Sequence, residues 1–495
     1  MSQLTTVDAT FLNAETGSTL AHIAGLCVLD TSSHPGGRLT AEQVTELVRA
    51  RAHLAPLPLR RRLVQVPLGL DLPYWEDDPD FDPARHVHEI ELSPPADGTR
   101  LADVVALLHE QPLDRSRPLW EMVLIHGLEG GRTALYAKVH HAAVDGVMAA
   151  EALAALLDLS PEPRDLPSDE PAPARAPATA DMLGAGLLKA VTYPIRTAVS
   201  VARTVPQLDD IPGIAALPGV GPLASAVQGV LRRGGVPRAP RPSAPSTLFN
   251  RPIGPHRSVA WGGLPLAEIK EIRRALGGSV NDVVMALCAA ALRQWLDKRG
   301  DLPGRPLVAG VPVSLRRGAS GGASGGASGG ASGGASGSGN QVSLMTVPLA
   351  THVPDPADRF AAVRRDMDLA KRRFTMSSGD WVREVSGLLP APVAGPATRL
   401  ALRAAPSLPL RPLNLIVSNV PGPQFPLYMC GARVLSYHPL SLVSDLSGGL
   451  NITVFSYDGT VDVGVVACRD LVPDPGEIVD HLVDALDEMK ALTRA

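Results

Sequence analysis

Residues Trp120 to Val139 constrain the fold of this chain more than any other stretch. WEMVLIHG (120–127) and RTALYAKV (132–139) are strand-forming runs joined at Glu129-Gly130-Gly131, where the glycines permit a tight reversal of the backbone. The spacing predicts a hairpin that runs into HHAAVDG, His140 to Gly146. Neighbouring residues on extended backbone point to opposite faces, so His140 and His141 look into different spaces and only one of them is expected to reach a ligand. Asp145 can cap, and Gly146 can open, a helix through Ala149, Ala150, Leu153 and Leu156, whose apolar spacing is helical. An imidazole on such a corner, with a carboxylate close behind it, suits a general base held by rigid elements. A metal centre built from His140, His141 and Asp145 is disfavoured by the opposed side chains and by the lack of a nearby His, Cys or acidic cluster with ligand spacing.

At 495 residues the chain is expected to form two or three domains. Charged residues make up 19% and the net charge is −4, so no global field recruits nucleic acid. The apolar fraction is 45% with only 4% aromatic, which predicts an aliphatic core. Cys27, Cys288, Cys430 and Cys468 are scattered without CxxC spacing and read as buried thiols in a reducing compartment. No secretory leader and no apolar run of bilayer length is expected. The prediction is a cytoplasmic protein, or one attached to the inner membrane face or a lipid-droplet surface.

Strands are expected at 20–30, 86–93, 257–264, 306–316, 341–349, 414–420, 450–457 and 460–468, and helices at 40–54, 99–110, 264–275, within 356–405 and at 476–492. GGSVNDVVMALCAAALRQWLDKRG predicts a helix with Val284, Leu287, Ala291 and Trp295 on one apolar face and Ser279 as N-cap, with Asp282 three positions on. Asn281-Asp282 is therefore helix-start chemistry. Residues 161–180 are a Pro/Ala/charge linker. From 182 to 233 two apolar helical stretches carry basic edges, among them Lys189, Arg196 and Arg203; this segment either lies on an anionic membrane surface or packs as a crossover. The GASG repeat at 318–338 holds nothing larger than Ala to bury and is expected to be a disordered loop.

HHAAVDG matches HHxxxDG, the signature of the CoA-dependent acyltransferase superfamily that includes chloramphenicol acetyltransferase and peptide-synthetase condensation domains. Together with Pro118-Leu119-Trp120, Asn281-Asp282 and SNVPGP (418–423), it makes the chain resemble the bacterial wax ester synthase/diacylglycerol acyltransferase family. The resemblance runs from Asp8 to about Met489. It implies an α/β (α+β) fold of two chloramphenicol-acetyltransferase-like domains, each a mixed sheet with flanking helices, meeting at a central channel. Its expected divisions are 1–160 with HHxxxDG, a crossover segment 161–256, and 257–495. Asp8, Phe11, Glu15 and His22 fall in an N-terminal motif of the family, although a capped turn entering the first strand explains them equally well. Superfamily relatives pair the motif Asp with an Arg, which suggests Arg60 or Arg62 of PLRRRLVQV as the partner of Asp145.

The implied chemistry is transfer of a long acyl group from acyl-CoA, a substrate here, to diacylglycerol or a fatty alcohol, with no cofactor. His141 would take the hydroxyl proton, His140 would be structural, Asp145 and Gly146 would shape the corner, and Pro118, Leu119, Trp120, Asn281 and Asp282 would bind substrate or support the site. Two other readings stay open: a condensation-type enzyme that uses a carrier-protein thioester, and a non-catalytic lipid-binding coat protein with the same fold.

Overall fold

The computed structural model describes residues 2–32, 34–55, 59–93, 97–144, 152, 155–164, 174–189, 244–314, 342–376, 390–404 and 411–494. Strands Trp120–Leu128 and Arg132–His140 form the expected hairpin, with Gly130 and Gly131 at positive φ (72° and 64°) in the reversal. They lie inside a six-stranded sheet in which His22–Asp30 pairs antiparallel with Arg132–His140, and Val87–Glu91 runs parallel to Trp120–Leu128 at the edge. On the hairpin, residues 135, 137 and 139 face the core that holds Val44, Val48 and Trp120. Ala134 and Tyr136 face the opposite core with Val105 and Leu101 of helix Gly98–His109.

The second six-stranded sheet has Leu415–Pro421 parallel to Leu450–Tyr457 and to Leu307–Ser314, with the other pairs antiparallel. Helix Val280–Asp297 lies in its core. Ser279 accepts from the Asp282 N–H and the Asp282 carboxylate accepts from the Ser279 N–H, so both groups of the capping box are made. The apolar face is wider than expected. Every residue from Val283 to Leu292 is buried, because helices Pro356–Met376 and Gly476–Leu492 pack beside it as well as the sheet. Among the described residues no single helix is long and apolar enough to cross a membrane.

Sheet membership does not follow the expected division at residue 257. Tyr428–Met429 and Ala432–Leu440, from the C-terminal block, join the first sheet, where Ala432–Leu440 pairs with His22–Asp30. This strand crosses over the second sheet at Gly464, where a Cβ would collide with the backbone carbonyl of Pro439. Only glycine leaves room for so close an approach. A third, three-stranded sheet joins Ser2–Gln3, Tyr74–Asp77 and Arg61–Val64. The N-terminal residues form the helix Thr6–Ala14, not the capped turn that the sequence also allowed. Of the segment 182–233, residues 182–189 are described and belong to a helix over 179–189, and Lys189 donates to Asp71 Oδ2 (2.6 Å) and Gln3 Oε1 (2.9 Å). Its ammonium is thus paired within the protein, although the side chain remains partly exposed. Arg196, Arg203 and the repeat at 318–338 lie outside the described residues.

One buried carboxyl stands at the crossing. Asp462 Oδ2 accepts from the Tyr437 N–H at 2.7 Å, and burial raises its pKa to about 7 against the opposing effect of that bond. The Cys27 thiol beside it is pushed up to about 12, by burial first and by Asp462 second, and stays neutral. Because the folded pKa exceeds the ordinary value of 3.8, the folded state holds a proton that the unfolded chain has lost, so stability declines as pH rises from about 4 to about 7. Asp462→Asn keeps an acceptor for Tyr437 and removes the titration. Its melting temperature, relative to the unaltered protein, should rise progressively across that window; parallel pH profiles would contradict the assignment.

Candidate active site

The strand Arg132–His140 delivers its last residue into a dense set of bonds. The His140 N–H donates to Leu119 O (3.0 Å), and its Nδ1 accepts from the Ala142 N–H (3.0 Å). In the neutral ring the proton then sits on Nε2, which lies 3.2 Å from Glu15 Oε1. Glu15, just past the end of helix Thr6–Ala14, also accepts from the Ala21 N–H (3.0 Å) and from Arg115 Nη2 (2.5 Å). Burial alone would raise its pKa, but His140, the Ala21 N–H and Arg115 outweigh that and hold the carboxyl down at about 2. His140 is buried, fixed at Nδ1 by the Ala142 N–H, with Glu15 beside its Nε2.

His141 turns the other way. Its N–H donates to Ala21 O (2.7 Å), and its ring stacks on Phe11 with centroids 4.1 Å apart and planes 9° from parallel. Phe11 is carried by helix Thr6–Ala14, whose start is fixed by a reciprocal Thr5–Asp8 capping box. Beneath the corner, Ala142 and Ala143 pack with Leu4, Leu12, Leu63, Trp75 and Leu119. Phe11→Ala should cost the stack, worth about 0.5–1.5 kcal/mol. The expected result is a fall of about two- to tenfold in kcat/KM together with a lower melting temperature, because Phe11 also packs against the cluster of Leu12, Leu119 and Ala142; unchanged kinetics would show that Phe11 does not orient the ring.

Pro118, Leu119 and Trp120 support this corner from below and are all buried. Besides the Leu119 bond to His140, Trp120 donates its indole N–H to Leu59 O (2.8 Å) and stacks on His86 at 4.5 Å. Asp145 and Gly146 lie outside the described residues, and with them any partnership of Asp145 with Arg60 or Arg62. Arg62 stands 3.4 Å from Glu76 and 3.8 Å from Asp78. On the second half, the Asn281 carboxamide oxygen accepts from Asn419 Nδ2 (3.1 Å), tying the helix start to the SNVPGP strand. Asp282 is buried in its capping box with Lys371 Nζ 3.3 Å away.

The opposite face of the hairpin carries a buried polar layer. His22 Nε2 bonds His109 O (2.8 Å), His109 Nδ1 bonds the Tyr136 hydroxyl (2.8 Å), and Lys138 pairs with Glu121 at 3.0 Å. Burial holds His109 down at about 3 and His22 well below its ordinary range, so both rings are neutral supports. Sequence reasoning undervalued Glu15 and Arg115; the Thr5-x-x-Asp8 capping pattern was the signal that a helix, and hence a rigid mount for Phe11 and Glu15, begins there. Among the described residues no group of three His, Cys, Asp or Glu side chains is placed to hold a metal ion.

The strand end thus holds His140 buried beside Glu15 and places His141 against Phe11. The sequence matches the model of the wax ester synthase/diacylglycerol acyltransferase catalytic domain over residues 4–284 and that of the WS/DGAT C-terminal domain over 338–490. A Mycobacterium tuberculosis protein, provisionally named a diacylglycerol O-acyltransferase, is 34% identical over 500 residues, covering 99% of this chain and 90% of the relative. A similarly named Mycobacterium bovis protein is 34% identical over 492 residues, with the same coverage. The solved wax ester synthase/diacylglycerol acyltransferase from Marinobacter aquaeolei VT8 superposes with a TM-score of 0.67 at 27% identity, covering 100% of both chains. The first condensation domain of the calcium-dependent antibiotic synthetase shares the fold at a TM-score of 0.53 and 17% identity, covering 99% of this chain and 96% of that one. The fold is therefore the mixed α/β architecture of the CoA-dependent acyltransferases, and the chain is an acyltransferase that belongs to the wax ester synthase/diacylglycerol acyltransferase family.

Proposed function

We propose that the protein transfers a long acyl group from acyl-CoA directly to the hydroxyl of diacylglycerol or of a fatty alcohol, with His141 as general base. The observation that carries this reading is the unequal fixation of the two histidines: Glu15 and the Ala142 N–H hold His140, while His141 is oriented by a flat stack on Phe11. His141 accepts the hydroxyl proton as the acceptor oxygen attacks the thioester carbonyl. The C–S bond then breaks, and the imidazolium returns the proton to the departing CoA thiolate. No acyl-enzyme is needed, and no cofactor enters. The Asn281 side chain, held by Asn419 at the start of a helix, is a candidate donor to the tetrahedral oxyanion.

General base catalysis supplies roughly two to four orders of magnitude, so positioning of donor and acceptor supplies much of the remainder. The acceptor is drawn from a lipid surface that the protein touches peripherally; Leu187 and Leu188, exposed on the helix 179–189, suit such a contact. Labelled long-chain acyl-CoA, incubated with diacylglycerol or with a fatty alcohol and resolved by chromatography, tests the reading. Labelled triacylglycerol or wax ester is expected. Transfer only to a carrier-protein thiol or amine, or lipid binding with no product, would overturn it in favour of the condensation-type or coat-protein alternative.

A further inference from the structure

The Glu15 carboxylate reaches both histidines of the corner, one directly and the other through a single residue. Its Oε1 lies 3.2 Å from His140 Nε2 and accepts from the Ala21 N–H at 3.0 Å. Ala21 completes the link on its other side, because its carbonyl accepts from the His141 N–H at 2.7 Å. Phe11, one turn back on the helix Thr6–Ala14 that ends beside Glu15, stacks on the His141 ring. Backbone and ring of His141 are therefore both set from the segment that carries Glu15.

The loop from Glu15 to Ala21 has little slack. The Thr16 N–H donates to Thr19 O (2.9 Å), and Thr16 Oγ1 accepts from the Thr19 N–H (3.0 Å). Arg257, from the strand Arg257–Pro265 of the second sheet, donates to Ser18 O. A displaced Glu15 would thus move Ala21, and with it the strand end.

The charge is placed as well as the shape. Oε1 serves His140 and Ala21, whereas Oε2 accepts from Arg115 Nη2 at 2.5 Å. The Arg115 side chain is 42% exposed against 13% for Glu15, so water screens the cation more than the anion. Burial opposes ionisation of Glu15, yet His140, the Ala21 N–H and Arg115 hold its carboxyl at about 2. It stays ionised across the whole range in which an imidazole gains its proton.

The other charged groups on the elements around the corner are committed or lie outward. His22, in register with His140, and His109 are held neutral by burial, and Lys138 pairs with Glu121. Asp114 and Arg117, beside Arg115, pair with each other, and Arg61 and Arg62 pair with Asp77 and Glu76. Asp8 closes the capping box at the far end of Glu15's helix. Arg257 also donates to Gly254 O and His256 O, and Arg399 is exposed on the helix Ala391–Ala404 that packs on Thr6–Ala14.

Resting on the reading of His141 given above, we infer that Glu15 is a positioning residue of the transfer step: it fixes His141 through Ala21 and the helix of Phe11, and its negative charge stabilises the imidazolium that forms when His141 takes the hydroxyl proton. When the C–S bond breaks and that proton passes to the CoA thiolate, His141 is neutral again. Glu15 itself neither gains nor loses a proton.

The test is the pH profile of acceptor-dependent CoA release by the full-length protein, with a long-chain acyl-CoA and a fatty alcohol, over about pH 5 to 9. The acid limb of kcat/KM reports the base of the free enzyme. Glu15→Gln keeps an acceptor for Ala21 and His140 and removes the charge. Its limb should lie about half a pH unit lower, with a plateau reduced about two- to tenfold. Arg115→Gln removes the cation instead, so its limb should move to higher pH. A loosened site alone would lower the plateau without moving the limb in opposite directions. An unmoved or raised limb in Glu15→Gln would overturn the inference, as would a lowered limb in Arg115→Gln. If Glu15→Gln does not fold, the Arg115→Gln profile decides by itself, an unmoved limb then counting against the role of Glu15. His141→Ala separates the two claims. Activity lost in that variant, with unmoved limbs in the others, would remove only the role of Glu15; activity retained in it would remove the reading of His141 as well.

Discussion

Replacing His141 with alanine is expected to lower acyl transfer by roughly two to four orders of magnitude, the contribution of a positioned general base, while the melting temperature stays close to that of the unaltered protein. The substitution removes the ring and its stack on Phe11 but keeps the backbone N–H that bonds Ala21 O, so the strand end keeps its shape. His140→Ala is expected to behave differently. It removes the acceptor of the Ala142 N–H and leaves the half-buried Glu15 carboxylate without its imidazole neighbour, so stability falls along with activity. Steady-state CoA release and thermal denaturation, measured on both variants, separate the two roles. Equal melting temperatures with greater activity loss in the His140 variant would reverse the assignment.

Gly464→Ala is the substitution with the largest expected effect on stability. The new methyl group would meet the Pro439 carbonyl oxygen and carbon, which are backbone atoms with no rotamer to turn away, and Leu440 lies close behind. Overpacking costs typically about 1–3 kcal/mol, and the upper end applies where the clash is with backbone. A loss of about 3 kcal/mol corresponds to roughly 6–12 °C in melting temperature for a unit of this size. The crossing strand would lift from the second sheet, loosening the Tyr437 N–H bond to Asp462 and the junction between the halves. Gly17→Ala, where a Cβ meets nothing within 4 Å, serves as the control and should be neutral. Similar melting temperatures for the two variants would show that the strand crossing has slack.

Elements whose signals are local could be read directly from the residues. The hairpin over Trp120–His140, the capped helix Val280–Asp297 and the terminal helix Gly476–Leu492 each carry their periodicity, turn glycines or cap within a few residues of themselves. The strand Ala432–Leu440 could not be read this way. Its partner, His22–Asp30, lies at the far end of the chain, and its register is interrupted between Val434 and Ser436, which breaks the alternation that marks a strand. The same limit applied to the site. The opposed orientation of His140 and His141 follows from extended backbone, but the identity of what lies beside His140 does not, because Glu15 approaches it from a separate segment and is itself paired with Arg115 from another. Lys189 gives a further case: its side chain is paired with Asp71, a carboxylate from a distant segment that no helical periodicity could point to.

The most direct test of the account is acceptor-dependent release of free CoA thiol from a long-chain acyl-CoA, measured with diacylglycerol, with a fatty alcohol and with neither, for the unaltered protein and for His141→Ala. Thiol release that requires an alcohol acceptor and is lost in the variant is the predicted result. Release at the same rate in both proteins, or release that ignores the acceptor, would contradict direct transfer driven by His141.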